Sequence, residues 1–255
     1  MTAMLLPFYA VGVAFHRRLA GAAARLWHLG CIRLCGISVR VVGAPVADGP
    51  MLYVANHVSY LDIPVLGSLV DATFVAKSDV VHWPVLGFLA RLDGTLFVRR
   101  HPRHAEKDAR RLSRRLARGG SLIVFPEGTS TDGRVALPFK SALFGAIGRE
   151  TQPDPWVQPV SVAYVRYADG RRLMGALNDC YAWYGEMTLV DHLFGVFGLA
   201  GAIVEVRFHP PERASRFADR KRLARHCWLA VMAGVADSHH LADAEEVPNV
   251  VPLAV

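Results

Sequence analysis

Met51-Leu52-Tyr53-Val54-Ala55-Asn56-His57-Val58-Ser59-Tyr60-Leu61-Asp62-Ile63-Pro64-Val65-Leu66-Gly67-Ser68-Leu69 is the stretch from which the fold is read. It opens with an unbroken apolar run, Met51–Ala55, which suits a strand buried on both faces. Pro64 lacks an N–H and fits best in a first helical turn, so a helix starts near Asp62. Strand, polar turn and helix follow one another within nineteen residues, and His57 falls in the turn. On one straight helix, residues five apart would point about 140° away from each other. With His57 in the turn, the Asp62 carboxylate can reach its imidazole. A carboxylate that holds one ring nitrogen fixes the tautomer, and the other nitrogen can then take a proton from a hydroxyl. The same spacing also fits a capping Asp62 beside a plain turn histidine. Metal binding has little support, because no third ligand stands nearby.

Outward from this stretch, short β-rich runs alternate with helical ones. Strands are expected at Ile37–Val42, Thr73–Ala76, Thr95–Val98, Ser121–Phe125, Val157–Val165 and Ala202–Phe208. Helices are expected at Ile63–Leu69, Arg103–Arg118, Ser141–Arg149 and Arg213–Val235. Such alternation predicts an α/β domain with a partly parallel central sheet flanked by helices. In sheets of that kind, sites collect where strands run into helices. The uncharged run Leu193–Val204 is expected to be a core helix leading into a strand, with a membrane-dipping segment as the alternative. In the Arg103–Arg118 helix, Ala105, Ala109, Leu112 and Leu116 form a narrow apolar stripe among arginines. Its basic side is either a solvated face or a seat for an acidic carrier protein or anionic headgroups. His239-His240 matches no ligand set and is expected to be solvated.

The 255 residues are 52% hydrophobic, with a mean hydropathy of +0.24 and a net charge of +7. A basic, apolar-rich chain points to an anionic membrane surface or an acidic partner. Nucleic-acid binding would call for basic and aromatic residues interleaved on an exposed sheet, and these strands are apolar throughout. Cys31, Cys35, Cys180 and Cys227 form no CxxC pair and read as buried thiols. The apolar run Met1–Phe15 contains Pro7 and is shorter than the roughly 20 residues a spanning helix needs. It also lacks a basic leader and a clean cleavage site. In the next stretch Arg17, Arg18, Arg25, His28 and Arg33 share one helical side, opposite Leu19, Ala22, Leu26, Leu29 and Ile32. That pattern reads as an in-plane membrane anchor, or as a helical hairpin on the core. The expected organisation is a membrane-associated helical segment over 1–36, a main domain over 37–240 and a tail over 241–255.

Three further stretches carry chemistry. Ser121-Leu122-Ile123-Val124-Phe125-Pro126-Glu127-Gly128-Thr129-Ser130 is an apolar strand ending in a tight Pro-Glu-Gly turn. Gly94-Thr95-Leu96-Phe97-Val98-Arg99-Arg100 delivers two arginines to one strand end, which suits an anion clamp. Val157-Gln158-Pro159-Val160-Ser161-Val162-Ala163-Tyr164 is an apolar strand with an early proline. Each has an ordinary structural reading when taken alone.

Together, in this order, the blocks resemble the glycerolipid acyltransferase family, whose bacterial members include 1-acylglycerol-3-phosphate acyltransferase. The family pattern NHxSxxD matches Asn56 to Asp62, GxxFxxR matches Gly94 to Arg100, and FPEGT matches Phe125 to Thr129. The resemblance implies that His57 is the general base and Asp62 orients it. It implies that the acceptor hydroxyl attacks the thioester of acyl-ACP or acyl-CoA directly, without an acyl-enzyme. That suits a chain with no GxSxG nucleophile elbow. The implied substrate-binding residues are Asn56, Ser59, Arg99, Arg100, Phe125, Pro126, Glu127, Gly128, Thr129, Lys140 and Pro159. No metal or cofactor is implied. The implied setting is the cytoplasmic face of a bacterial inner membrane, with the chain peripheral or monotopic.

One departure bears on the acceptor. Ser130 stands where the common form of the FPEGT block continues with an arginine. Leu137-Pro138-Phe139-Lys140-Ser141 and Trp183-Tyr184-Gly185-Glu186-Met187 are similar to a proteobacterial subgroup that acylates lyso-ornithine lipid. The expected acceptor is a lysophospholipid such as 1-acylglycerol-3-phosphate, with lyso-ornithine lipid as the alternative. A non-catalytic lipid-binding protein is the rival of another class.

Overall fold

The computed structural model describes residues 17–46, 49–83, 86–99, 102–147, 154–173 and 180–244. The apolar run Met1–Phe15 and residue Arg100 lie outside them. Eight strands form one sheet: β1 (Ile37–Val42), β2 (Met51–Ala55), β3 (Thr73–Lys77), β4 (Leu96–Val98), β5 (Leu122–Val124), β6 (Trp156–Tyr167), β7 (Ala202–Phe208) and β8 (Glu212–Arg213). The order is β1-β7-β6-β2-β5-β3-β4, with β8 beside β6. Pairing is parallel except where β6 meets β7 and β8. Because β2, β5, β3 and β4 run the same way, their carboxyl ends share one edge. Asn56–Asp62, Phe125–Thr129 and Arg99 therefore gather there, although they are far apart in sequence.

Helices cover both faces. On one face, α1 (Arg17–Leu34), α2 (Asp62–Leu69) and α5 (Leu189–Phe197) pack with Met51, Tyr53, Phe74 and Ile123. On the other, Leu112 and Leu116 of α4 (Pro102–Ala117) and Leu223 and Cys227 of α6 (Arg220–Ala244) pack with Leu52, Val54, Leu122 and Val124. The alternation of β2 residues between the two clusters is the two-residue period of a strand covered on both sides. A short helix, α3 (Leu86–Leu92), precedes β4.

Several expectations change. Ser141–Ala146 is a 3-10 turn rather than the start of an α-helix to Arg149. The last helix starts at Arg220, seven residues later than expected. Asp219 caps it, its carboxylate accepting the backbone N–H groups of Lys221 and Arg222. It continues to Ala244, so Leu241–Ala244 is helix and not tail. His239 is half-buried and meets the Gly133 carbonyl at 3.3 Å rather than standing in solvent. In α1, His28 is not on the basic side. It is buried between Gly67 and Phe74, 3.5 Å from Asp93, while Leu26 and Leu34 are exposed. α5 is not a core helix: only Val196 is buried, and Val190, Phe194 and Phe197 are 61%, 72% and 52% exposed. Among the described residues, no helix is long and apolar enough to cross a membrane. All four cysteines are free thiols, and burial pushes Cys31 and Cys227 up to about 12.

The sheet edge at β1 and β7 depends on close backbone contact. Gly201 has φ +93°, and a Cβ there would sit 2.3 Å from the Gly36 carbonyl oxygen. Overpacking costs about 1–3 kcal/mol, and a left-handed backbone a further 1–2 kcal/mol or so. Gly201→Ala should therefore lower unfolding stability by roughly 3 kcal/mol, read by denaturant titration; a loss below about 0.5 kcal/mol would show that this contact yields.

Candidate active site

β2 delivers Asn56 and His57 to the sheet edge, and the chain then curls so that Asp62 opens α2. The Asp62 carboxylate is 0% exposed. Its Oδ2 lies 2.8 Å from His57 Nδ1 and accepts the backbone N–H groups of Val58 at 2.7 Å and Ser59 at 3.0 Å. Its Oδ1 accepts the Tyr164 hydroxyl at 2.9 Å. Asp62 is thus no helix cap. It lies inside the first turn and binds the residues before it. A carboxylate only accepts, so Nδ1 carries the proton and Nε2 is left with the lone pair.

The imidazole is held on one face as well. Phe125 stacks on His57 at 4.2 Å between centroids, and Phe74 lies parallel behind Phe125 at 6.4 Å. The loop after β5 closes around the same residue. Thr131 N donates to the His57 carbonyl at 2.9 Å, and Lys140 N donates to the Pro126 carbonyl at 3.0 Å. Gly128 turns the chain there with φ +80°, a conformation that suits glycine.

Glu127 does not face a headgroup as expected. It is 2% exposed, and its two oxygens accept the backbone N–H groups of His57 at 2.8 Å and Leu137 at 2.9 Å. It brackets the first and third sequence blocks together. Burial pushes its carboxyl up to about 7, against the lowering pull of those two N–H groups. Asn56 is likewise buried, with both ends of its amide engaged within the sheet. Its amide donates to the Val162 carbonyl at 2.9 Å and accepts the Val162 N–H at 2.8 Å. It extends the β2–β6 ladder by a side chain. Ser59 is fully buried. Pro159 is buried in β6 opposite Val54, where its carbonyl accepts the His209 N–H. It sits between the residues of β6 that pair with β8 and those that pair with β7, a position where a missing N–H is tolerated. Thr129, Lys140 and Arg99 are exposed, and Arg99 is fixed through its backbone N–H to Asp108 at 2.7 Å.

Sequence reasoning missed Tyr164. In strand β6 it alternates with Val160 and Val162 on the face that bears α2, and it is buried. Burial and the Asp62 carboxylate push its hydroxyl well above the usual range, so it stays a donor. A tyrosine in an otherwise apolar strand was the available signal. Trp183, from the stretch noted in the sequence, donates its backbone N–H to the Val58 carbonyl; also missed was His192 of α5, whose Nδ1 is 3.0 Å from the Tyr60 hydroxyl.

Residues 38–163 match the family model described as Acyltransferase. The lyso-ornithine lipid O-acyltransferase of Rhizobium meliloti is 39% identical over 209 residues, covering 79% of this chain and 70% of that one. The chain belongs to the acyltransferase family. The 1-acyl-sn-glycerol-3-phosphate acyltransferase of Neisseria gonorrhoeae is 31% identical over 79% of this acyltransferase and 76% of its own length. The crystal structure of the 1-acyl-sn-glycerophosphate acyltransferase from Thermotoga maritima shares the fold. It has a TM-score of 0.69 and 20% identity, and the match covers 96% of this chain and 90% of that one. The acyltransferase is an O-acyltransferase of the lysophospholipid type, with a mixed, mostly parallel sheet flanked by helices.

Two outcomes test this geometry. The Glu127 carboxyl rises from 4.5 to about 7 on folding. Between those values the folded chain keeps a proton that the unfolded chain has released, so this group lowers stability as pH rises through the window. Glu127→Gln removes the titration. The stability of wild type minus that of the variant should fall by up to roughly 3 kcal/mol from pH 4.5 to 7; a flat difference in denaturation series would contradict it. Tyr164→Phe removes a hydrogen bond to a buried carboxylate, worth about 1.5–3 kcal/mol. Steady-state kinetics should show kcat down about tenfold or more, with the acceptor KM unchanged.

Proposed function

We propose that this acyltransferase moves a fatty acyl group from an acyl thioester, of carrier protein or CoA, to the hydroxyl of lyso-ornithine lipid at a membrane surface. The observation that carries the chemistry is the short contact between His57 Nδ1 and buried Asp62. In this reading His57 Nε2 takes the proton from the acceptor hydroxyl as the oxygen attacks the thioester carbonyl carbon. The carbonyl π electrons move onto oxygen. When they return, the C–S bond breaks, and the thiolate leaves with the proton from the imidazolium. Asp62 stabilises the imidazolium in between and stays ionised. Neither metal nor acyl-enzyme has a part in it.

The acceptor is argued from the relatives and from Ser130. The Rhizobium meliloti relative is named for lyso-ornithine lipid and is more similar than the Neisseria gonorrhoeae one. Ser130 is the neighbour of Thr131, which is bonded to the His57 carbonyl, so position 130 borders the site. A hydroxyl there suits a headgroup that carries its own amine and carboxylate. A phosphate monoester would call for a guanidinium fork. Arg134, the next cation on this loop, is 3.5 Å from Asp132 and so partly neutralised. Exposed Val190, Phe194 and Phe197 on α5 support contact with a bilayer, from which both lipids would enter. The cytoplasmic face of a bacterial inner membrane is the proposed setting.

The test is an acyl-transfer assay with lyso-ornithine lipid and lysophosphatidic acid offered in parallel. Lyso-ornithine lipid should be favoured at least tenfold in kcat/KM, and acyl release should require a lysolipid. His57→Ala should lower kcat by roughly 10²–10⁴-fold. A preference for lysophosphatidic acid would reassign the acceptor, and full activity in His57→Ala would end the mechanism.

A further inference from the structure

α4 has two unlike sides. Leu112 and Leu116 are buried against the sheet, with Ala109 beside them. On the far side Arg103, Lys107, Arg110 and Arg114 follow one another at steps of four, three and four, which is one line on an α-helix. All four are exposed, and Arg111 flanks them. At 1.5 Å per residue the row is roughly 16 Å long. One carboxylate interrupts it, Glu106, which pairs with Arg110. These residues line an open depression of about 320 Å³ whose six walls, Arg103, Glu106, Lys107, Arg110, Arg111 and Arg114, are all charged. Among the described residues every side chain that lines it is charged, which suits a charged partner better than an acyl chain.

Its place in the fold is specific. α4 is stapled to β4 and the residue after it. Arg111 donates to the Phe97 carbonyl at 3.0 Å, and Asp108 accepts the Arg99 N–H. β4 ends at the same sheet edge as β2, which delivers His57. Two strands, β5 and β3, separate them. At about 4.8 Å per strand this is roughly 14 Å. A partner on α4 would not touch the site; it would need a flexible arm to reach it.

Resting on the proposed acyl transfer, we infer that the outer face of α4 docks an acidic, helical, water-soluble protein that carries the acyl thioester on a pantetheine arm. A row of cations one helix long complements a row of carboxylates on a partner helix. Anionic headgroups are the poorer match because of sidedness. Of the helices that cover the sheet, those with the most exposed large apolar residues are α1 and α5 on the other face, with Leu26, Leu34, Val190, Phe194 and Phe197; Leu229 and Leu241 of α6, on the α4 side, are less exposed. A bilayer seated there leaves α4 in water.

The experiment uses the full-length protein and the charge-reversed variant Lys107→Glu/Arg110→Glu/Arg114→Glu. Labelled acyl carrier protein is the binding probe, followed by anisotropy at low salt. Binding should weaken at least tenfold, and the steep salt dependence of the wild type should flatten. The KM for acyl carrier protein should rise by the same factor. Transfer from acyl-pantetheine, which lacks the protein, and flotation with phosphatidylglycerol vesicles should change less than twofold. Lys107→Arg/Arg110→Lys/Arg114→Lys, which keeps the charge, should bind as the wild type does, and this separates docking from folding. Unchanged carrier binding in the reversed variant would overturn the proposal, as would loss of vesicle binding instead. Failure of the acyl-transfer reading shows separately, as a wild type that acylates no lysolipid from either donor.

Discussion

Asp62 is a carboxylate with no exposure to water, and the site is built around keeping it charged. Removing such an ion from water costs several kcal/mol unless donors replace the solvent. The donors are Val58 N, Ser59 N, the Tyr164 hydroxyl and His57 Nδ1. To bring the two backbone N–H groups inward, residues 57–61 must curl tightly over the start of α2. That curl determines where the imidazole points. Helix α2 adds its own positive end, since Asp62 lies in its first turn. The burial that makes the carboxylate costly also makes its hold on the histidine strong, because little water competes for it.

Glu127 is the instructive contrast. It too is buried beside His57, but its two donors are backbone N–H groups only. Burial raises its carboxyl to about 7, and the nearby Asp62 charge adds to the rise. Two carboxylates flank one imidazole, and their environments differ. The one with the larger donor set sits on Nδ1. The other ties the His57 backbone to Leu137 and so locks the loop that carries Ser130 and Thr131. The loop and His57 are thereby parts of one hydrogen-bonded unit, which on the proposed mechanism gives substitutions in that loop a route to kcat.

The sheet and the His57–Asp62 contact were legible because their signals are local. Met51–Ala55 is uniformly apolar, and Pro64 marks the helix start within a few residues. What was not legible depends on long-range partners. Asn56 and Glu127 are read as ligands because they fall in the blocks that carry the family resemblance. Their partners, Val162 and Leu137, are identified only once β6 and the loop after β5 are in place. The missing Tyr164 has the same cause: its hydroxyl meets Asp62 across 102 residues. α5 failed differently. The uncharged run Leu193–Val204 is apolar enough for a core helix, and composition does not say that within α5 only Val196 turns inward. His28 shows the reverse, a polar residue assigned to the surface that fills the space Gly67 leaves.

The two helical layers differ in the way that the proposed reaction between phases would require. An acceptor with an acyl tail resides in lipid, whereas a carrier-bound thioester arrives through water. One protein face must tolerate apolar surroundings and another must attract a charged visitor, and both must reach one catalytic group. A sheet covered on both sides separates these demands by its own thickness. Apolar Phe194 and Phe197 lie in one layer, and the cation row of α4 lies in the other. Only the edge of the sheet belongs to both layers. The parallel run of β2, β5, β3 and β4 puts His57 at that edge, so on the proposed reading the strand direction sets the general base where the two sources can meet.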